Sequence, residues 1–454
     1  MENNNTTSRA LDTVPQFKVD RWLLGTYFVL LFISLVEPYS ASSQQVDFGN
    51  VYSPFFRHAG QLALGALVMW GFASIRYTYY RLIIPFIALV TIFMFIWMQF
   101  KGVTINNATR AIALPGFTLQ PSEFAKFSTV GCAALIVSRS QIRGDISLKG
   151  LILSTFVVII GAAMLFSQGA TNAVILMASG VSVILIGGVK FRKFITVSLI
   201  YLLIFCIFYG IKHHNDDKME GYQQELIEAK GGIVEVKTDD ERYSADNLQK
   251  FQKDNSPKDH SRDKMRGGRV SAWIHNEIKD SLIHDPITTE NRQEMFAHYA
   301  QAHGGWCGVG IGQSRECSRL PLAFTDYIYS IIVEETGVIG AIVVLMIYMW
   351  LLIRAGRVAS RCSRAFAALL ITGMAVMIVY QALIHMAINT GFMPVSGQPL
   401  PLISVGGTSI LVTSMAFGIM LSVSRSAAKT KQELQQENAE LPTEYGAVNP
   451  SQIN

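Results

Sequence analysis

The sequence predicts an all-α polytopic membrane protein of ten transmembrane helices, with a large outer loop between the seventh and eighth. Three observations carry this. Half of the 454 residues are hydrophobic and only 16% are charged. Apolar runs long enough to cross about 30 Å of hydrocarbon recur along the chain. Lys and Arg gather in every second connection, as they do where positive charge is retained on the cytoplasmic side.

Residues 1–21 are polar and rich in Asn and Thr, and read as a cytoplasmic tail. Residues 22–211 hold seven apolar runs, near 22–37, 61–75, 82–100, 118–138, 150–166, 172–189 and 194–211. Ser40-Ala41-Ser42 resembles a leader cleavage site, but the spans that follow favour a retained anchor. Residues 212–324 form the large extracytoplasmic loop, in two parts. The stretch 213–268 is polar, with turn-prone Lys230-Gly231-Gly232 and Asn255-Ser256-Pro257, and has too few large apolar side chains to close a core. It reads as an insertion. The stretch 269–324 interleaves Trp273, Met295, Phe296, Tyr299 and Trp306 with Asp285, Arg292, Gln293 and His298, which suits a half-buried platform on the outer leaflet. The last three runs, near 325–353, 365–388 and 404–424, fall within 325–424, and residues 425–454 are a polar Glu/Gln-rich cytoplasmic tail.

Orientation follows from the basic residues. One set of segments carries Arg9, Lys18 and Arg21; Arg76 and Arg81; Arg139, Arg143 and Lys149; Lys190, Arg192 and Lys193; Arg354, Arg357, Arg361 and Arg364; and Arg425, Lys429 and Lys431. The alternating short loops carry only Arg57, Lys101 and Arg110, so both termini are expected in the cytoplasm. The net charge of +5 therefore reflects topology, and no continuous basic patch suits nucleic acid. Cys132, Cys206 and Cys362 lie in or beside apolar spans as inert thiols. Cys307 and Cys317 share the outer face, and their spacing leaves a disulfide open.

Polar groups kept at a membrane surface usually serve chemistry. Three constellations stand out. In the first, Asn107-Ala108-Thr109-Arg110 precedes Gln120-Pro121-Ser122-Glu123-Phe124-Ala125-Lys126. Pro121 is suited to open a helix, placing Glu123 and Lys126 three residues apart on one face. The pair is either a packing bridge or, with Arg110, an anion-binding group. The second is the long loop, with Arg269, Asp285-Pro286, Gln293, the glycine ladder 304–312 and Asp326. By local spacing Asp-Pro is a turn signal. Asp326 either starts a helix with Thr325 as its cap or acts in function. Glu334 and Glu335, inside that helix, are expected to pair internally with a basic residue. The third is Gln381, His385 and Asn389 at helical spacing, followed by a Gly/Pro-broken stretch to Ser409 that only a sheltered backbone tolerates at membrane depth. Gly308, Gly310 and Gly312 lack the dinucleotide spacing, no P-loop occurs, His298 and His303 lack a third zinc ligand, and there is no serine nucleophile elbow.

Over about 20–426 the chain resembles the FtsW/RodA (SEDS) glycosyltransferases, which polymerise lipid II, the polyprenyl diphosphate-linked disaccharide precursor of peptidoglycan. The matching stretches are ATRAI with QPSEFAK, GGWCGVGIGQS with LPLAFTDYIYSIIVEETGVIG, and QALIHMAINTGFMPVSGQPLPLISVGGTS. The Gly-x-Gly-x-Gly-x-Ser run at 308–314 looks more like the division-type branch than the elongation-type, RodA-like branch. Departures are Asn107, Ala111, Ser167-Gln168-Gly169-Ala170-Thr171, Val405 and the 213–268 insertion.

The resemblance implies that a sugar hydroxyl attacks the anomeric carbon of a glycan on polyprenyl diphosphate, with inversion. It implies Asp285 as general base, through its likeness to the family's Asp-Pro. Arg110, Lys126 and Arg269 would stabilise the departing diphosphate, Glu123 would hold Lys126, and Gln293, Ser404 and Ser409 would contact substrate. Gln120, Asp326, Glu335 and Gln381 would be structural or functional. A divalent cation, Mg2+ or Mn2+, is compatible with this chemistry. The implied setting is the cytoplasmic (inner) membrane, among its lipids, with a class B penicillin-binding transpeptidase and other division proteins as partners. A lipid II flippase is the rival reading, since broken loops and internal charges also suit transporters.

Overall fold

The computed structural model describes residues 19–41, 53–101, 103–105, 108–114, 117–142, 145–166, 168–199, 201, 291–320 and 323–440. Six helices occupy the first part of the chain: α1 (Arg21–Ala41), α2 (Ser53–Ser74), α3 (Tyr80–Lys101), α4 (Pro121–Arg139), α5 (Leu148–Phe166) and α6 (Ala170–Ile186). A short helix α7 covers 191–199 and belongs to a second compact unit, Val189–His275. The first unit resumes with α8 (Arg292–Gly304), α9 (Ile328–Ala359), α10 (Ala365–Asn389) and α11 (Gly407–Glu440). Arg269 and Asp285 lie outside the described residues, as does the 213–268 insertion.

Among the described residues, five stretches are long and apolar enough to cross a membrane: Tyr77–Met98, Leu148–Phe166, Ile328–Ala359, Ala365–Asn389 and Gly407–Ala427. Arg21–Val36 and Ala170–Ile186 are shorter apolar helices. Helices α2 and α4 stand where spans were expected, with Arg57, His58 and Gln61 on one and Glu123 and Lys126 on the other. The expected span at 194–211 is described only in its first residues.

Helices α4, α10 and α11 form the interior. Helix α2 runs along α11, α9 along α10, and α3, α5, α6 and α10 all pack on α4. The outer helices turn large apolar side chains away from the bundle, Leu82 at 77% and Phe100 at 83% exposure among them. Such faces are satisfied by lipid, so only inward faces must interlock. Glycines permit close approach there; a methyl group on Gly180 would meet Val158, and one on Gly131 would meet Ile84.

The fold is not wholly α. Residues 103–105 (β1), 108–114 (β2) and 117–119 (β3) make an antiparallel sheet in the order β1-β2-β3, with Thr104 opposite Thr109 and Ile112 opposite Leu119. A second pair, 141–142 (β4) and 145–146 (β5), joins α4 to α5. The β-branched residues of Val103-Thr104-Ile105 and Ala108-Thr109-Arg110-Ala111-Ile112 favour strands, but runs this short give too little period to read.

Asp20 ties three helices together. Its carboxylate accepts Trp22 N–H (3.0 Å) and Leu23 N–H (3.1 Å) at the start of α1 and a forked pair from Arg354 of α9 (2.6–3.1 Å), while its own N–H reaches Ser424 of α11. Burial pushes the Asp20 carboxyl up, but the Arg354 guanidinium and the helix-start amides outweigh it, holding the group below its ordinary value. Asp20→Ala is expected to cost about 3 kcal/mol from the lost charged bonds and cap. A detergent melting series reads this. The lowered carboxyl adds stability fully above 3.8, and the gap to the variant closes as pH falls through the folded value.

Candidate active site

Helix α4 starts as its sequence directs: Gln120 is extended, Pro121 takes the first helical position, and Glu123 sits in the first turn, where the helix dipole favours an anion. Lys126 follows on the same face. The two side chains pair at 2.7 Å and are 4% and 1% exposed. Lys126 Nζ also donates to Gln381 Oε1 of α10 at 2.8 Å. The Gln381 amide in turn donates to the Pro399 carbonyl at 3.2 Å, so the buried ion pair is fastened to the irregular stretch between α10 and α11.

That stretch is held at every turn. His385 Nδ1 bonds the Gln398 carbonyl at 2.6 Å. Ser404 Oγ accepts Leu400 N–H and donates to the Thr325 carbonyl, both at 2.7 Å, and Val405 N–H reaches Phe324 O at 2.9 Å. Thr408 donates to Thr118 O at 2.6 Å and accepts Gln120 N–H at 3.2 Å, joining the start of α11 to β3 and α4. Asp326 lies in the segment stapled down by these bonds. It is half-buried, and a methyl group on Gly397 would stand 3.0 Å from its Oδ2.

The glycine ladder has a different job. Helix α9 is broken at Gly337 (φ 72°, ψ −173°). Val309 and Gly310 N–H bond the carbonyls of Glu334 and Glu335 at 2.9 and 3.0 Å, while Val338 and Ile339 N–H bond those of Gly305 and Trp306 at 3.0 and 3.3 Å. The loop thus takes up backbone groups that the break would orphan. The contact leaves no room for side chains: a Cβ on Gly308 would stand 2.1 Å from Glu335 O, and one on Gly337 2.3 Å from Trp306 O.

Other expected residues fall at varied places. Glu123, Lys126, Gln381 and Ser404 converge on the 396–405 stretch through the bonds above, Asp326 approaches it at Gly397, and Gln120 is tied to Thr408 just beyond it. The Arg110 backbone lies in β2. Gln293 is half-buried in the first turn of α8, where burial also pushes the Glu294 carboxyl up and the His298 imidazole down. Ser409 is buried in the first turn of α11, and Glu335 is buried beside the break. Glu334 has the half-exposed His303 ring as its basic neighbour at 3.8 Å, and its carboxylate also accepts the Ser314 hydroxyl and the N–H groups of Arg315 (3.0 Å) and Glu316 (3.4 Å). Thr325 is not a helix cap, because α9 begins at Ile328 after Tyr327 without a side-chain cap. No disulfide joins Cys307 and Cys317; Cys317 packs among Ala297, Leu320 and Ile331, and Cys307 is exposed. The sequence reading missed the Gly337 break, for which a glycine inside an apolar run after Glu-Glu-Thr was the available signal. Among the described residues, no group of three His, Cys, Asp or Glu side chains is placed to hold a metal ion.

A bundle of apolar helices that gathers a buried lysine–carboxylate pair, amides and a half-buried carboxylate beneath a broken loop defines a polytopic membrane protein with a polar site at one end. The family model FTSW_RODA_SPOVE, described as "Cell cycle protein", matches residues 21–233 and 262–429, and the chain belongs to that family. It is 29% identical over 419 residues to "Probable peptidoglycan glycosyltransferase FtsW" of Polynucleobacter necessarius, covering 89% of this chain and 85% of the relative. It is 25% identical to "Stage V sporulation protein E" of Bacillus subtilis, covering 91% and 99%. Among solved structures, the fold is similar to a chain from "Structural coordination of polymerization and crosslinking by a peptidoglycan synthase complex" (TM-score 0.60, 19% identity, 90% and 98% covered). It is also similar to the rod shape determining protein RodA of Thermus thermophilus (TM-score 0.55, 17% identity, 90% and 97% covered).

Proposed function

We propose that this chain is an inverting peptidoglycan glycosyltransferase that polymerises lipid II on the outer face of the cytoplasmic membrane, in septal wall synthesis at cell division. The observation that carries this reading is the Glu123–Lys126–Gln381 group, fixed beneath the stretch that faces Asp326, in a chain matched by the family model over most of its length. The names of the relatives agree with it. Ten crossings with both termini cytoplasmic and a class B penicillin-binding transpeptidase as partner complete the reading; the neighbouring synthase complex joins polymerization to crosslinking in the same way.

In the reaction, the acceptor sugar hydroxyl oxygen bonds to the anomeric carbon as the bond from that carbon to the diphosphate breaks. The hydroxyl proton passes to a carboxylate, and the diphosphate leaves on its polyprenyl chain. Lys126, with Arg110 and Arg269, supplies positive charge to the leaving group, and Glu123 and Gln381 keep Lys126 pointed. A single displacement at an α-linked donor gives a β-linkage.

The base has two candidates. Asp285 rests on the family likeness of Asp285-Pro286. Asp326 is the second carboxylate near this site: a methyl group on Gly397 would stand 3.0 Å from its Oδ2, and Pro399, two residues on, is tied through Gln381 to Lys126. The test is glycan synthesis from purified lipid II by the full chain reconstituted with its transpeptidase. Asp285→Asn is expected to lose about 100-fold or more in rate at a matched melting temperature, and Asp326→Asn to be less impaired. The reverse result assigns the base to Asp326, and full activity in both variants removes either carboxylate from the chemistry. A wild type that moves lipid II across the bilayer without polymerising it restores the flippase reading.

A further inference from the structure

We infer that the start of α1 and the end of α9 form a binding site for one anionic phospholipid of the adjoining leaflet, seated on Trp22 and Trp350 with its phosphate against Arg357. The site lies at the far end of α9 from the Glu123–Lys126 group and stands independently of the reaction described above.

Its aromatic floor is built from both helices. The Trp22 and Trp350 rings meet edge to face, with centroids 5.7 Å apart and planes at 71°. Arg357, two turns beyond Trp350 on the same face of α9, brings its guanidinium over the Trp350 ring, 5.8 Å from the centroid. The rings are not enclosed: Trp22 is 59% and Trp350 36% exposed. Asp20, the carboxylate beside them, takes Arg354 in a forked pair and not Arg357. Stacking uses the flat face of the Arg357 guanidinium, while its N–H groups point outward in the plane, the geometry that meets phosphate oxygens in pairs. Arg21 is exposed beside Trp22, so three arginines against one aspartate leave this edge with a formal charge of +2.

Beyond the tryptophans, towards the middle of the bundle, the same faces are apolar and exposed. Ile342 and Met346 precede Trp350 at helical spacing, and Val29 and Phe32 follow Trp22 in the same way. Between Trp22 and Val29 stands Gly25, with nothing within 4 Å of an added methyl group, so the surface is open where an acyl chain would lie. Along the seam the order is cation, indole, hydrocarbon, which is the order of phosphate, glycerol and acyl chain in a phospholipid. The charge selects within that class, because the ammonium of a zwitterionic headgroup is repelled by the same arginines that attract the phosphate. Basic residues scattered at helix ends draw an anionic leaflet diffusely. An arginine fixed on an indole that is itself braced by a second indole gives one lipid a defined seat.

The test is native mass spectrometry of the full chain released from nanodiscs of equal parts dioleoyl phosphatidylglycerol and dioleoyl phosphatidylcholine, counting each lipid retained. Wild type is expected to favour phosphatidylglycerol by about tenfold or more, and Arg357→Gln to cut that ratio about fivefold, the worth of one arginine at a charged surface. Trp350→Leu keeps the charge and the apolar surface but removes the platform, and is expected to cut the ratio at least about threefold. Because the two side chains act as a unit, the double variant should fall no more than about twofold below Arg357→Gln. Arg139→Gln removes the same charge from the exposed end of α4, outside the seam, and should leave the ratio within about twofold of wild type. Equal losses in Arg139→Gln and Arg357→Gln, or multiplicative losses in the double variant, reduce the effect to diffuse attraction and overturn the inference. A wild type that retains both lipids alike overturns it, as does a lipid-free wild type that appears as a dimer, which gives the seam to a second copy of the chain.

Discussion

Lys126→Met is expected to lower polymerisation about 100-fold or more, because it removes the preorganised cation that meets the leaving diphosphate. The same substitution leaves Glu123, 4% exposed, as a buried anion without its 2.7 Å partner. Breaking a buried pair from one side costs about 3–5 kcal/mol, so a loss of activity alone could reflect unfolding. The double variant Glu123→Gln/Lys126→Met separates the two effects. With the charge removed from both members, its melting temperature should return close to wild type while glycan synthesis stays absent. A double variant that polymerises normally would reduce the pair to a packing bridge.

Gly337→Val should be the most damaging single change outside the polar cluster. The backbone there, at φ 72° and ψ −173°, is one that side chains scarcely adopt, and the added Cβ would stand 2.3 Å from the Trp306 carbonyl oxygen. Strain of about 1–3 kcal/mol comes before any clash. The collision is with backbone that itself bonds Ile339, so relief means undoing the loop. The expected result is a protein that fails to accumulate, or melts at least 10 °C lower, at roughly 2–4 °C per kcal/mol for large domains. Gly25→Ala in α1 is the control: nothing stands within 4 Å of its added methyl group, and stability should hold or rise slightly.

Much of this was legible in the sequence, for physical reasons. Glu123 and Lys126 three apart after a helix-opening proline, and Gln381, His385 and Asn389 four apart, lie on helices whose period alone puts them on common faces. Hydropathy located the helices because lipid leaves no alternative for an apolar run of that length. What escaped depends on atoms distant in the chain. Hydropathy is blind to backbone angles, so an apolar run through Gly337 reads as one unbroken helix. The partners of Glu334 are amides at 315 and 316 that only the folded-back loop delivers. Ser404, singled out for substrate contact, has its hydroxyl engaged by Leu400 and Thr325, a geometry no local spacing encodes. The approach of Asp326 to Gly397 likewise joins segments far apart in the sequence.

The lock between the ladder and the broken helix also bears on how the molecule is assembled. Residues 304–312 are made before α9, and Val309 finds its partner Glu334 only a short way down the chain. Closing so short a loop is quick and entropically cheap, so the lock can set as soon as the first half of α9 emerges. The seam between α2 and α11 joins opposite ends of the sequence and must wait for the last helix. Because Thr408 at the start of α11 also fastens Gln120 at the start of α4, the polar cluster is among the last parts of the molecule to be completed. A ribosome that stops early would leave a chain with its outer loop already set and its chemistry still unassembled.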